Sequence, residues 1–202
     1  MSINVWICDL TYTQQVISSE VMPAAVGEIA TYCESHISPP PATRLFKYPE
    51  KLIGAFRTEQ PHVIGFSNYV WNAQLSYEFA KVIKAKFPRT TVVMGGPNFP
   101  LSKEHQESFL RARPAIDFFI EKEGELPYCN LIRRLMELEF DIERVKKEKL
   151  GGVRAIAADG MFCAGSVMER INDLSEIPSP YLSGKLDEFF DGKLMPIIQT
   201  TR

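Results

Sequence analysis

The stretch from Pro61 to Pro97 constrains the fold of this chain more than any other. His62-Val63-Ile64-Gly65-Phe66 is a short apolar run that stops at Ser67-Asn68-Tyr69. A second run, Thr91-Val92-Val93-Met94, stops at Gly95-Gly96-Pro97. Between them Leu75, Phe79, Val82, Ile83 and Phe87 recur at helical spacing, with Lys81, Lys84 and Lys86 on the outer face. Two buried-strand patterns joined by an amphipathic helix predict a βαβ unit with parallel strands. Both strands end in small or polar residues, where an open α/β sheet places its ligand.

The flanking sequence continues the alternation. Ile3 to Cys8 reads as a first strand buried on both faces, ending in the polar loop Asp9 to Thr13. Pro23 suits the first turn of a helix that runs through the small-residue segment Ala24 to Glu34. Pro39-Pro40-Pro41 is a stiff break. Thr43 to Lys47 alternates as a half-exposed edge strand, and Pro49 starts a short helix through Phe56. Beyond Pro97, Ser102 caps a helix to about Arg113, and Ala115 to Ile120 predicts a fifth strand. Glu123-Gly124-Glu125 follows as a turn, then a helix from Pro127 to about Leu138. Strands alternating with helices over short links predict a doubly wound, mainly parallel sheet.

Beyond residue 150 the pattern changes. Val153 to Ala157 and Met161 to Cys163 flank Asp159-Gly160, a dipeptide suited to a hairpin turn. Pro178, Pro180 and Pro196 predict an extended arm with one short helix around Lys185 to Phe190. Met195 to Arg202 begins like another strand with no terminating turn, which reads as a fragment of a longer chain.

Bulk properties exclude several function classes. A formal net charge of −2 lacks the basic excess of a nucleic-acid footprint. The run Arg144 to Lys149 contains Glu148 and follows Glu143, as a solvated helical face does. No apolar run approaches the ~20 residues of a membrane span, and the N-terminus has no basic region of a secretory signal. Cys8, Cys33, Cys129 and Cys163 form no CxxC pair and read as reduced cytoplasmic thiols. With histidines only at His36, His62 and His105, a protein metal cluster has little to build from.

Motif absences narrow the crevice further. The first strand is not followed by GxGxxG, since no glycine precedes Gly27, and neither a P-loop nor GxSxG occurs. Asp9 alone does not make the carboxylate pocket of a phosphoacceptor domain. What remains is Ser67-Asn68-Tyr69, the interval 70–94, then Gly95-Gly96.

That arrangement resembles the cobalamin-binding domain of methionine synthase and the mutases. The resemblance implies that the cofactor's nucleotide tail enters a groove between strands, with Ser67 at the dimethylbenzimidazole and Gly95-Gly96 leaving room for its ring. The family's upstream histidine motif is missing; the interval counted back from Ser67 reaches Val21-Met22, with Met22 where a histidine would stand. A bound cobalamin would then be histidine-off.

A resemblance over nearly the whole chain is to the N-terminal part of the cobalamin-dependent radical SAM proteins, the class of the anaerobic magnesium-protoporphyrin ester cyclase. It rests on Pro61 to Ser67, Trp71-Asn72, Gly95-Gly96-Pro97, Glu123-Gly124-Glu125 and Ile177 to Tyr181, in that order. In that class a stretch like Pro196 to Arg202 directly precedes the three-cysteine iron–sulfur motif. The resemblance implies a flavodoxin-like (Rossmann-like) α/β fold over residues 1–142, a five-stranded parallel sheet of order 2-1-3-4-5. Residues 143–202 are then a hairpin and linker arm leading to a radical SAM domain in cis. It further implies cobalamin bound by Ser67, Asn68, Tyr69, Trp71, Gly95, Gly96, Pro97, Asn98, Glu123, Gly124 and Glu125, together with Val21 and Met22. No catalytic residue is expected in this segment; S-adenosylmethionine and a 4Fe-4S cluster belong to the longer protein. Two other readings stay open: a degenerate docking or substrate-positioning module that binds no corrinoid, and a flavin or nucleotide binder on the same fold.

Overall fold

The computed structural model describes residues 3–14 and 19–198. Strands and helices alternate as β1 (Asn4–Cys8), α1 (Ala24–His36), β2 (Ala42–Phe46), α2 (Pro49–Ala55), β3 (Val63–Ser67), α3 (Ala73–Lys86), β4 (Thr91–Gly95), α4 (Lys103–Arg111), β5 (Phe118–Ile120) and α5 (Glu125–Glu137). A short α6 (Ile142–Lys147) then leads to β6 (Val153–Ile156) and β7 (Phe162–Ala164). The expected parallel core of order 2-1-3-4-5 is present, and all four of its strand pairings are parallel. The hairpin is not a separate appendage: β6 and β7 join antiparallel beyond β5, making one sheet of order β2-β1-β3-β4-β5-β6-β7.

Side chains alternate across the sheet, so each continuous apolar run feeds two cores. Val5, Ile7, Val63, Val93, Phe118 and Ile120 pack toward α1 and α5. Trp6, Cys8, Ile64, Phe66, Val92, Met94 and Phe119 pack in the second core, with Leu52 and Ala55 of α2, Ala80 and Ile83 of α3 and Leu110 of α4. The cysteines are all free and buried. The fold brings Cys33 of α1 and Cys129 of α5 close enough for each thiol to influence the other's ionisation, a proximity invisible in their spacing.

Among the boundaries that differ from the sequence expectation, two have a clear physical cause. The fifth strand begins only at Phe118 because the Asp117 side chain takes over the ladder. Asp117 N–H donates to the Val92 carbonyl at 2.9 Å, while its carboxylate accepts from Val92 N–H at 2.8 Å. Lys84 Nζ reaches the same carboxylate at 2.9 Å. Helix α5 starts at Glu125 rather than Pro127, which places the proline in the first turn, where its missing N–H leaves no bond unmade.

The arm after β7 is seated on the domain. Thr31 Oγ donates to the Pro178 carbonyl at 2.7 Å, Lys185 Nζ meets Glu34 at 2.7 Å, and Leu186, Phe189 and Leu194 are buried. Gly27 permits this approach: a Cβ there would stand 2.9 Å from Pro180 Cβ. Met195 bridges to Val21, the observed part of the strand expected from Met195 onward; residues 199–202 lie outside the described residues. Among the described residues, no helix is long and apolar enough to cross a membrane.

Replacing Asp117 by alanine removes the acceptor for Val92 N–H and leaves the Lys84 ammonium without its carboxylate. The expected loss is about 2–4 kcal/mol, read as a lower urea midpoint at unchanged m-value. A loss below about 0.5 kcal/mol, the range of an ordinary surface substitution, would contradict the role assigned to this carboxylate.

Candidate functional site

The register of three adjacent parallel strands builds the site. Ser67 of β3 stands opposite Gly95 of β4, which stands opposite Ile120 of β5. One row below, Ile7, Gly65, Val93 and Phe118 align. Residues in register share a sheet face, as do residues two apart, so Gly65, Ser67 and Gly95 all face α1 and α5. Two missing side chains and one small one leave a hollow where a doubly wound fold normally packs aliphatic groups. The resulting cavity of about 330 Å³ lies between the carboxyl ends of β3, β4 and β5 and the starts of α1 and α5. It falls at the lower end of the size range of small-molecule sites.

The paired glycines divide the work. Gly95 faces the cavity, and a Cβ there would lie 3.3 Å from both Cβ and O of Ile120. Gly96 has φ +132° and holds the loops together: a Cβ on it would come within 2.9 Å of the Asn68 carbonyl. Asn68 N–H donates to the Gly95 carbonyl at 2.7 Å, its side-chain amide donates to the Asn98 carbonyl at 2.5 Å, and Asn98 N–H returns to the Asn68 carbonyl at 3.1 Å.

Ser67 belongs to a buried ionic network at the ends of β1, β2 and β3. Its hydroxyl donates to Asp9 Oδ1 at 2.6 Å and accepts from Asn72 Nδ2 at 2.8 Å. Asp9 Oδ2 accepts from Lys47 Nζ at 2.8 Å, and the lysine side chain is entirely buried. Asn72 also donates to the Leu10 carbonyl at 3.1 Å and caps α3 by position. Lys47, which alternation put on a half-exposed edge strand, is therefore an interior cation with a dedicated carboxylate. Neither Asp9 nor Lys47 was singled out as a partner of Ser67 by sequence; only a charged residue ending an apolar strand hints at it.

The expected residues fall into groups. Ser67, Tyr69, Gly95, Gly96, Pro97, Glu123, Gly124 and Glu125 line the cavity. Asn68, Trp71, Asn98, Val21 and Met22 do not. Asn68 and Asn98 join the two loops, and Trp71 stacks on Tyr69 with ring centres 4.6 Å apart. Met22 is buried in the core beside α1, its N–H bonded to the Met195 carbonyl at 2.9 Å. The turn before α5 takes its positive φ at Lys122 (64°), not at Gly124. Gly124 has φ −91° and matters for space: a Cβ would meet Ile29 Cδ1 at 2.5 Å.

Among the lining residues that escaped the sequence reading are Gly65, Tyr128 and Arg170. A glycine inside a fully apolar strand was the available signal for Gly65, because such a residue marks close approach. The Tyr128 hydroxyl is buried with no hydrogen-bond partner among the described residues, and Gly65 makes room for it. Burial pushes this phenol well above the usual tyrosine range. Arg170 Nε lies 3.3 Å from Glu123 Oε1 at the border of a second hollow of about 420 Å³, which spreads over the loops after β4 and β5. Among the described residues no group of His, Cys, Asp and Glu could hold a metal ion. The arrangement suits an occupant with a flat, mostly apolar part and a few polar atoms.

Comparison with known proteins agrees with this geometry. The family model for the B12 binding domain matches residues 21–132, more than half of the 202-residue chain. The chain is 30% identical over 129 residues to the cobalamin-dependent radical SAM methyltransferase TokK of Streptomyces tokunonensis, covering 63% of this chain and 18% of that protein. It is 28% identical over 173 residues to the 2-(S-pantetheinyl)-carbapenam-3-carboxylate methyltransferase of Streptantibioticus cattleyicolor, covering 82% of this chain and 24% of that one. The solved structure of the cobalamin-dependent S-adenosylmethionine radical enzyme OxsB with aqua-cobalamin bound is similar with a TM-score of 0.66 and 16% identity. That match covers 93% of this chain and 25% of OxsB, and at this identity it speaks to the fold alone. The chain thus spans a quarter or less of the length of these relatives. On the family match, which spans more than half of its length, the chain belongs to the B12-binding domain family.

Proposed function

We propose that this chain binds cobalamin with its nucleotide tail inserted between the sheet and helices α1 and α5. The observation that carries this reading is the hollow left by Gly65, Ser67 and Gly95 on one sheet face, open at the strand ends. Its lining matches the group chemically. Glycines give a flat heterocycle close backbone approach, and Tyr128 supplies a buried polar atom that lacks a partner. In this reading Ser67, Tyr69, Gly95, Gly96, Pro97, Glu123, Gly124 and Glu125 surround the tail. Asn68 and Asn98 fix the loops, Trp71 supports Tyr69 near the corrin, and Val21 and Met22 back the start of α1.

The proposal includes histidine-off binding. His62 is at the amino end of β3, where its Nδ1 accepts from Asn4 N–H at 3.0 Å. His36 ends α1, its Nδ1 2.9 Å from the Tyr32 carbonyl. His105, in the first turn of α4, has Nδ1 2.7 Å from Ser102 Oγ. None of the three lines either hollow.

Residues 1–142 then form the cofactor domain, and residues 143–202 the hairpin and arm that carry the chain toward a radical SAM domain holding S-adenosylmethionine and a 4Fe-4S cluster. Cobalamin, when bound, supplies a carrier for a methyl group or an electron. The residues here bind and orient it and keep water from the tail.

Titration with hydroxocobalamin is expected to shift the visible spectrum and to co-elute corrinoid with the protein. Gly95→Trp, which drives an indole against Ile120 and across the cavity, is expected to weaken retention at least roughly tenfold, about 1.4 kcal/mol. No corrinoid on the wild-type chain at tens of micromolar protein would favour a docking module, and copurified flavin absorbance a flavin site. Joint replacement of His36, His62 and His105 is expected to leave the bound corrinoid spectrum unchanged; a changed spectrum would identify a histidine on cobalt.

A further inference from the structure

We infer that the Tyr128 hydroxyl, rather than that of Ser67, is the hydrogen-bond donor to the ring nitrogen of the heterocyclic base held in the cavity. The inference rests on the cobalamin reading and adds a residue and a direction of hydrogen bonding to it. A base that has let go of cobalt carries a free lone pair on its ring nitrogen. Enclosed between sheet and helices, that lone pair needs a donor in place of water.

Ser67 has one proton, and it is already committed. The hydroxyl donates to Asp9 Oδ1 at 2.6 Å and receives the Asn72 amide at 2.8 Å. Turning the proton toward a ligand would leave Asp9 Oδ1 with only the long Asn72 contact at 3.3 Å, in a place with little water to compensate. Ser67 therefore offers the cavity an acceptor lone pair, which a ring nitrogen cannot use.

Tyr128 has the complementary properties. It is 3% exposed, lines the cavity from α5, and its hydroxyl has no partner among the described residues. The oxygen stands over Gly65, 3.0 Å from where a Cβ would be, so the glycine lets a polar atom reach the sheet one row below Ser67. Burial keeps the phenol protonated, and so a donor, across the working pH range. Gly65 and Tyr128 fit together: a Cβ at 65 would stand 3.0 Å from the hydroxyl, which would have to shift by a few tenths of an ångström.

The test compares hydroxocobalamin with cobinamide, which keeps the corrin ring but lacks the nucleotide tail, on the 202-residue chain. Wild type is expected to bind cobalamin more tightly than cobinamide. Tyr128→Phe is expected to lose roughly tenfold in cobalamin affinity, the scale of one buried hydrogen bond, with cobinamide affinity changed less than about twofold. Ser67→Ala, which trims a lining side chain without removing the donor, is expected to lower the cobalamin-to-cobinamide ratio less than Tyr128→Phe does. Unchanged cobinamide binding and an apo melting curve close to wild type show that the variant is folded. Wild type that retains neither corrinoid overturns the cobalamin reading and this inference together. Wild type that binds both equally, a ratio that survives Tyr128→Phe, or a ratio that collapses in Ser67→Ala overturns this inference and leaves the cobalamin reading standing.

Discussion

A lysine ammonium with no solvent exposure has to be paid for, and here Asp9 does it. The Asp9–Lys47 pair gathers chain segments that are distant in sequence: the ends of β1, β2 and β3, and the cap of α3 through Asn72. Such a pair is weak as a source of net stability. Removing one partner is nonetheless severe, about 3–5 kcal/mol, because the other charge stays buried. Its value lies in placement. It sets the height at which the strands stop and the direction in which Ser67 spends its proton, so the ligand-facing edge is rigid before any ligand arrives.

Above that rigid edge, one sheet face has been emptied while the other is filled. The side toward α2, α3 and α4 carries Trp6, Phe66, Met94 and Phe119, with aromatic stacking such as Phe99 on Phe119 at 3.8 Å. The side toward α1 and α5 has the same aliphatic core at its lower rows and then loses volume at Gly65, Ser67 and Gly95. Stability comes from the packed rows and recognition from the vacant ones, without any departure from a regular parallel ladder.

How much was readable from residues follows the range of the interactions. The β1-to-α5 alternation, the strand ends and the Ser67-to-Gly95 interval are local patterns, and period and punctuation carry them. The edge-strand reading of 43–47 found the strand but missed Lys47 as an interior cation, because its partner Asp9 is 38 residues away. Tyr128 was hidden in the same way: along its helix it is one more buried position, and only the fold sets it over a glycine of another strand. Gly95-Gly96 was legible as a pair, but its split into one residue for the cavity and one for Asn68 needed the φ of +132° at Gly96.

Helix α1 is held from two sides. Ala25, Val26, Glu28 and Ile29 line the cavity, while Gly27, Thr31 and Glu34 seat the arm through Pro180, Pro178 and Lys185. One helix thus carries contacts to both surfaces. Thermodynamic reciprocity then applies: if a seated arm favours the tightly closed cavity, an occupied cavity favours the seated arm by the same free energy. Under that condition the seating of the arm and the filling of the slot strengthen or weaken together.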